Sequence, residues 1–149
     1  MFIITSLSAV TVTIGTGTGT TSDLPIRAQS SYSYSQQIYT KSQINQPLGG
    51  YITSLSFYCG SYTSFNNSQS WTIYMANTSK TSFTSNSNWE SFANLTEVFN
   101  GNVTFVSNGW MTINLTTPFY YDNVANLVIA VDENTSGNAG GARNFYAFT

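Results

Sequence analysis

The sequence predicts an all-β chain folded as an antiparallel two-sheet β-sandwich, and three observations carry that expectation. In WMTINL, Met111, Ile113 and Leu115 alternate with Thr112, Asn114 and Thr116. This is the period of two expected where one sheet face is buried and the other is wet. Leu127 to Val131 is then apolar throughout, as a strand covered on both sides would be. Between such segments stand clusters of Gly, Asn, Ser and Pro rather than helical patterning. The core is therefore expected to include Ile113, Leu115, Leu127, Ile129 and Val131.

Taken in order, Val10 to Ile14 alternates as a strand and runs into a flexible Gly-Thr repeat, Gly15 to Gly19. Tyr32 to Thr40 (YSYSQQIYT) alternates next, and Pro47 with Gly49 and Gly50 closes the connection to a strand at Tyr51 to Tyr58. Trp71 to Ala76 (WTIYMA) forms another. Glu97 to Phe99 and Val103 to Val106 read as a hairpin around Asn100-Gly101, a strong two-residue turn signal. Trp110 to Leu115 and Leu127 to Val131, joined by a turn containing Pro118 and its aromatic neighbours, complete the series. Ser87 to Asn94 has room for one helical turn, with Trp89, Phe92 and Ala93 three to four apart. Regular strands with such turns suit a sandwich of jelly-roll-like type.

Composition bounds function mainly by exclusion. A chain of 149 residues is one domain with a single sizeable core. Only 7% of its residues are charged, against roughly 25% in ordinary globular chains. Ser, Thr and Asn therefore carry its solubility, which suits an extracellular β module, while an aromatic content of 15% argues against disorder. Four cations, Arg27, Lys41, Lys80 and Arg143, are scattered and form no basic stripe, so nucleic acid is not an expected partner. No apolar run approaches the ~20 residues of a spanning helix, which argues against membrane insertion. The first residues lack the positive segment of a secretory signal, consistent with a module of a larger exported protein or with use without such export. Cys59 is alone and reads as a small buried hydrophobe at a strand end rather than a reactive thiol.

Catalysis has little to draw on. The chain contains no His, so Ser-His and Cys-His relays lack their base. The acids Asp23, Glu90, Glu97, Asp122, Asp132 and Glu133 offer no evident glycosidase pair, which would need carboxyls about 5 to 10 Å apart. The one cofactor the residues suggest is a structural Ca²⁺. Asp132, Glu133 and Asp122 are its candidate ligands, as hard oxygens flanking one strand. The competing reading is capping of turn amides. Six N-x-S/T triplets, at Asn66, Asn77, Asn94, Asn102, Asn114 and Asn134, are read as turn residues of an Asn-rich chain.

The surplus is aromatic: three Trp, ten Tyr and ten Phe. Sugars present apolar C–H faces to flat rings and hydroxyls to amides and hydroxyls, and this chain is rich in both. Trp89 in SNSNWES and Tyr62 in GSYTSFNNSQS stand in polar loops and are the leading candidate platforms. Tyr32 and Tyr34, expected on one strand face, and Tyr121 at the YYDN turn are further candidates. Trp71 and Trp110 head apolar strands and are assigned to the core or its rim.

The segments VTIGTGTGTTSDLPI, YSYSQQIYT, ITSLSFY, IYMANTSKTSF, NWESF to LTEVFNG, GWMTINLTTPFYYDNVANLVIAVDEN and NFYAF resemble the jelly-roll modules at the head of large surface and secreted proteins of Bacteroidetes-type bacteria. A looser likeness extends to adhesin modules of bacterial surface proteases. The resemblance implies a jelly roll at the cell surface that binds carbohydrate or another surface ligand. Its members run one or two strands past NFYAF, and more often have Gly and His where Ala76 and Asn77 stand here. An open edge at Asn144 to Thr149 would then pair with a neighbouring subunit or segment by strand addition. Two rival functions follow, a structural subunit such as a phage fibre or surface filament domain, and an accessory domain of a secreted hydrolase.

Overall fold

A computed structural model describes residues 9–62 and 64–147. Its strands are β1 (Thr20–Thr21), β2 (Ser33–Tyr39), β3 (Gly50–Cys59), β4 (Ser70–Thr78), β5 (Thr96–Asn102), β6 (Gly109–Tyr121), β7 (Asn126–Glu133) and β8 (Phe145–Tyr146). A one-turn helix, α1 (Lys41–Ile44), and a 3₁₀ turn at Phe92–Asn94 are the helical elements among the described residues. The 3₁₀ turn falls within Ser87 to Asn94, the segment with room for one helical turn.

The strands form two four-stranded sheets, here called A (β1-β8-β3-β6) and B (β2-β7-β4-β5). Antiparallel pairs nest from the ends inward: β1 with β8, β2 with β7, β3 with β6 and β4 with β5. One long hairpin has thus been rolled until successive pairs lie in opposite sheets. The β-sandwich expected from the sequence is the observed fold.

Period two places the core between the sheets. Met111 and Ile113 of β6, Trp71, Ile73 and Met75 of β4, and Leu127, Ile129 and Val131 of β7 are buried, and Leu115 packs against them partly buried. The indole N–H of Trp71 donates to the Ser68 carbonyl at 2.8 Å, and Phe65 stacks on Phe105 beside it. A buried indole satisfied in this way costs little beyond its large apolar gain. Cys59 is buried at the end of β3, and burial raises its thiol to about 11, which keeps it a small hydrophobe as expected.

Several elements differ from the sequence expectation. Asn100-Gly101 is no turn: it lies inside β5, paired with Thr72 and Trp71 of β4. Neither residue has the positive φ that a tight hairpin turn of this type demands. Val10 to Ile14 is not a strand, and among the described residues the first strand is Thr20–Thr21. Pro118 lies within β6, where Leu115 to Pro118 stand opposite Thr53 alone in a wide bulge. β6 is the edge of sheet A, where a residue without an N–H is tolerated. From the bulge, the Thr116 hydroxyl donates to the Val98 carbonyl at 3.0 Å and ties β6 to β5 of the other sheet. The C-terminal segment is not an open edge either: Phe145–Tyr146 pairs with β1 on one side and, through Phe145, with Cys59 of β3 on the other. Phe148 and Thr149 lie outside the described residues. Asn77, Asn102 and Asn114, read as turn residues, sit in strands.

Candidate functional site

Parity along a strand decides which side chains leave the core, so the two outer faces can be built residue by residue. On sheet A, Phe57 and Met111 point inward, and their neighbours Tyr58 and Trp110 therefore point out, paired across the ladder. Trp110 is 50% exposed, not a core residue. Its ring stands edge-on to Tyr58 at 5.3 Å, and Tyr58 meets Tyr146 of β8 at 4.7 Å. Further along, the exposed pair Ser56 and Thr112 share a hydrogen bond of 2.9 Å, and Ser54 faces Asn114. At the far end Tyr51 pairs with Tyr120, rings 5.3 Å apart, and both are more than half exposed. The face thus reads aromatic, polar, aromatic along the strands.

No Asp, Glu, Lys or Arg occurs in any strand of sheet A, whereas Glu97, Asp132 and Glu133 all lie in sheet B. A groove of about 290 Å³ borders the first aromatic cluster, with Ile14 to Gly17 on one side and Ser56, Tyr58, Trp110 and Tyr146 on the other. A larger open depression of about 510 Å³ surrounds Thr40, Lys41 and Asn126. Thr40 and Asn126 of its lining are already engaged. Thr40 and Gln43 form a capping box on α1, and Asn126 accepts from the Lys41 amide and donates to the Lys80 carbonyl.

The outer face of sheet B is closed by the chain between β4 and β5, residues 79–95. Gln36 of β2 clamps this strap through both atoms of its amide, accepting from Glu90 N at 2.8 Å and donating to Glu90 O at 3.1 Å. The Glu90 carboxylate accepts from Thr78 Oγ1 and from Asn94 Nδ2, both at 2.6 Å. Burial pushes this carboxyl up, but those hydrogen bonds, the Ser91 amide and nearby Lys80 outweigh it and leave it below its ordinary value. Two aromatic pairs fasten the strap, Trp89 on Tyr34 at 4.8 Å and Phe92 on Tyr74 at 5.2 Å. Under this cover Val128 and Ala130 are fully buried, which is why β7 reads apolar on both faces.

The residues singled out from the sequence are not brought together. Trp89 is exposed as expected, yet one side of its ring is spent on Tyr34. Tyr32 precedes β2 with a φ of 60° and does not share a strand face with Tyr34. Tyr62 is no platform: its hydroxyl accepts from Gly60 N, its ring packs on Phe65 under Arg143, and burial raises its phenol to about 12. Tyr121 is buried, its hydroxyl donating to the Ala125 carbonyl. The polar loop around Tyr62 and the turn residues after Tyr121 point outward, and tertiary packing overrides both signals.

The candidate calcium ligands do not converge. Asp122 accepts from Val124 N and Ala125 N, capping the turn before β7. Asp132 and Glu133 stand at the opposite end of that strand, about 20 Å away by strand rise. As adjacent strand residues these two face opposite sides: Asp132 lies on the strap side, where burial raises its carboxyl, and Glu133 is fully buried and accepts from Thr135 N. No group of three or more His, Cys, Asp or Glu gathers among the described residues.

On sheet A, Tyr51, Tyr58, Trp110, Tyr120 and Tyr146 are outward-facing aromatics that sequence reasoning missed. The signal was available for Trp110, which falls in phase with Thr112 and Asn114 rather than with Met111. No helix among the described residues is long and apolar enough to cross a membrane. The chain matches no protein-family model, no curated protein and no solved structure.

Proposed function

We propose that the protein is a non-catalytic extracellular binding module whose ligand is a carbohydrate held on the outer face of sheet A. The observation that carries this reading is the outward aromatic row, with exposed Tyr146 and Trp110 and partly buried Tyr58 at one end, exposed Tyr51 and Tyr120 at the other, and Ser54, Ser56, Thr112 and Asn114 between. Rings offer surfaces to the C–H faces of sugars, and the neutral hydroxyls and amides offer partners to their hydroxyl groups. The absence of His from the sequence fits binding better than turnover. The scarcity of charge, with Ser, Thr and Asn in its place, fits an extracellular setting. The nested strand pairing supports the likeness to jelly-roll modules of surface proteins.

The test is a glycan array probed with the wild-type chain and with Trp110→Ala. Binding that the substitution clearly weakens, with the melting temperature lowered only a few degrees by loss of the Tyr58 contact, supports the reading. An array with no binder for the folded wild type refutes it. The strand edge from which the rival assembly function was partly argued is paired at Phe145, which has β1 on one side and Cys59 of β3 on the other.

A further inference from the structure

Within the carbohydrate reading, on which this step rests, the geometry of sheet A points to one class of ligand. We infer that it is a single uncharged polysaccharide chain, lying extended along β3 and β6 and engaged at two aromatic stations. Tyr58 with Trp110, and Tyr51 with Tyr120, are two cross-strand pairs of the same ladder. They lie seven residues apart on β3, about 23 Å at the ~3.3 Å rise of a strand. One sugar ring cannot touch both, so a ligand that uses the whole face must be a chain of several sugars.

The lane between the stations carries Ser56 and Thr112, already bonded to each other, and the facing pair Ser54 and Asn114. These groups can exchange hydrogen bonds with hydroxyls but neutralise no charge. No charged residue occurs in the strands of the sheet, so nothing there would compensate the desolvation of a uronate or sulfate.

The ring angles choose between a free chain and a crystal. Tyr58 and Trp110 stand at 88°, Tyr58 and Tyr146 at 78°, and Tyr51 and Tyr120 at 63°. Within each station the rings so inclined do not share one plane, so they could not all lie flat on a crystalline face. They can receive successive sugars of one chain at different tilts. The edge-to-face contacts also hold the rings before any ligand arrives, which lowers the entropic cost of binding.

The experiment is calorimetric titration of the 149-residue chain with linear neutral cello-, xylo- and manno-oligosaccharides, from disaccharide to octasaccharide. Binding to the soluble polymer and to its microcrystalline form is measured alongside. Affinity is expected to climb with length until both stations are spanned and then to level off. Trp110→Ala and Tyr51→Ala should each weaken the longest oligomers by about tenfold and flatten the length dependence, while thermal melting shows both variants folded. Tyr120→Ala replaces Trp110→Ala should the latter unfold. Length-independent binding, or binding confined to the microcrystalline form, overturns the extended-chain inference and leaves carbohydrate binding standing. A folded protein that binds no glycan overturns both. A dimer that Tyr51→Ala dissociates assigns the face to a second copy and also overturns the inference.

Discussion

Sheets A and B are built by the same roll of the same hairpin, yet their outer faces have opposite fates. Sheet B spends its outward aromatics, Tyr34 and Tyr74, on Trp89 and Phe92 of the strap, and buries Val128 and Ala130 beneath it. Sheet A keeps Trp110, Tyr51, Tyr120 and Tyr146 open to solvent on a surface without charge. An aromatic in a polar loop is therefore weak evidence for a binding platform in this fold, because a loop can turn its ring back onto a sheet. An outward aromatic on a strand has no such freedom. It remains available unless another segment covers it.

The contrast can be broken most severely at the strap. Trp89→Ala removes the ring that covers Tyr34, and a loss of about 2 kcal/mol in unfolding free energy is expected, with glycan binding on sheet A unchanged. Denaturant melts and titration of the same sample check both halves. A binding loss with intact stability would move the site to sheet B.

Next in size is Gln36→Ala, which deletes both hydrogen bonds to the Glu90 backbone. A cost of about 1 to 2 kcal/mol is expected, together with faster hydrogen exchange at the Glu90 amide. Amides in the centre of the β3·β6 ladder should keep their protection.

Acid provides a finer probe. The Glu90 carboxyl sits below its ordinary value of 4.5 in the folded state. The stabilisation it gives is fully present above that value and is lost as pH falls through the lower folded value. Asp132, raised by burial, has the opposite sign, its protonation in acid relieving a cost. Glu90→Gln should therefore remove the acid-induced loosening of the strap, while Asp132→Asn should stabilise the protein near neutral pH. Stability curves against pH for the three chains separate the two contributions.

The smallest effect is expected at Tyr51→Ala. Its side chain is 71% exposed, so stability should change by no more than about 0.5 kcal/mol even as glycan affinity falls. A larger destabilisation would show that the Tyr51–Tyr120 pair is structural rather than part of a binding face.

Much of this architecture was legible before folding. The strands around Tyr32 to Thr40, Tyr51 to Tyr58, Trp71 to Ala76 and Leu127 to Val131 lie where alternation and turn residues put them. Asn100-Gly101 was misleading because a two-residue turn signal is worth less than a full ladder with β4, which only the distant partner can supply. Trp110 was misassigned by hydrophobicity when its parity pointed outward. Tyr62 and Tyr121 were misassigned by polar neighbours when their hydroxyls had local backbone partners. α1 is a single turn held by the Thr40 and Gln43 capping box, too short for any periodicity to reveal.

The sequence by itself determined that the chain would be a β-sandwich, that Met111, Ile113, Leu127, Ile129 and Val131 would face its core, and that the surface would carry little charge. These properties depend on the two-residue period of a strand and on composition, and both are local. Only the tertiary structure decided which outer face stays bare. That choice turns on where residues 79–95 dock, through hydrogen bonds such as Gln36 to Glu90, between residues 54 positions apart in the chain. No local pattern encodes a contact across that distance, because its strength depends on groups that come together only once both sheets have formed.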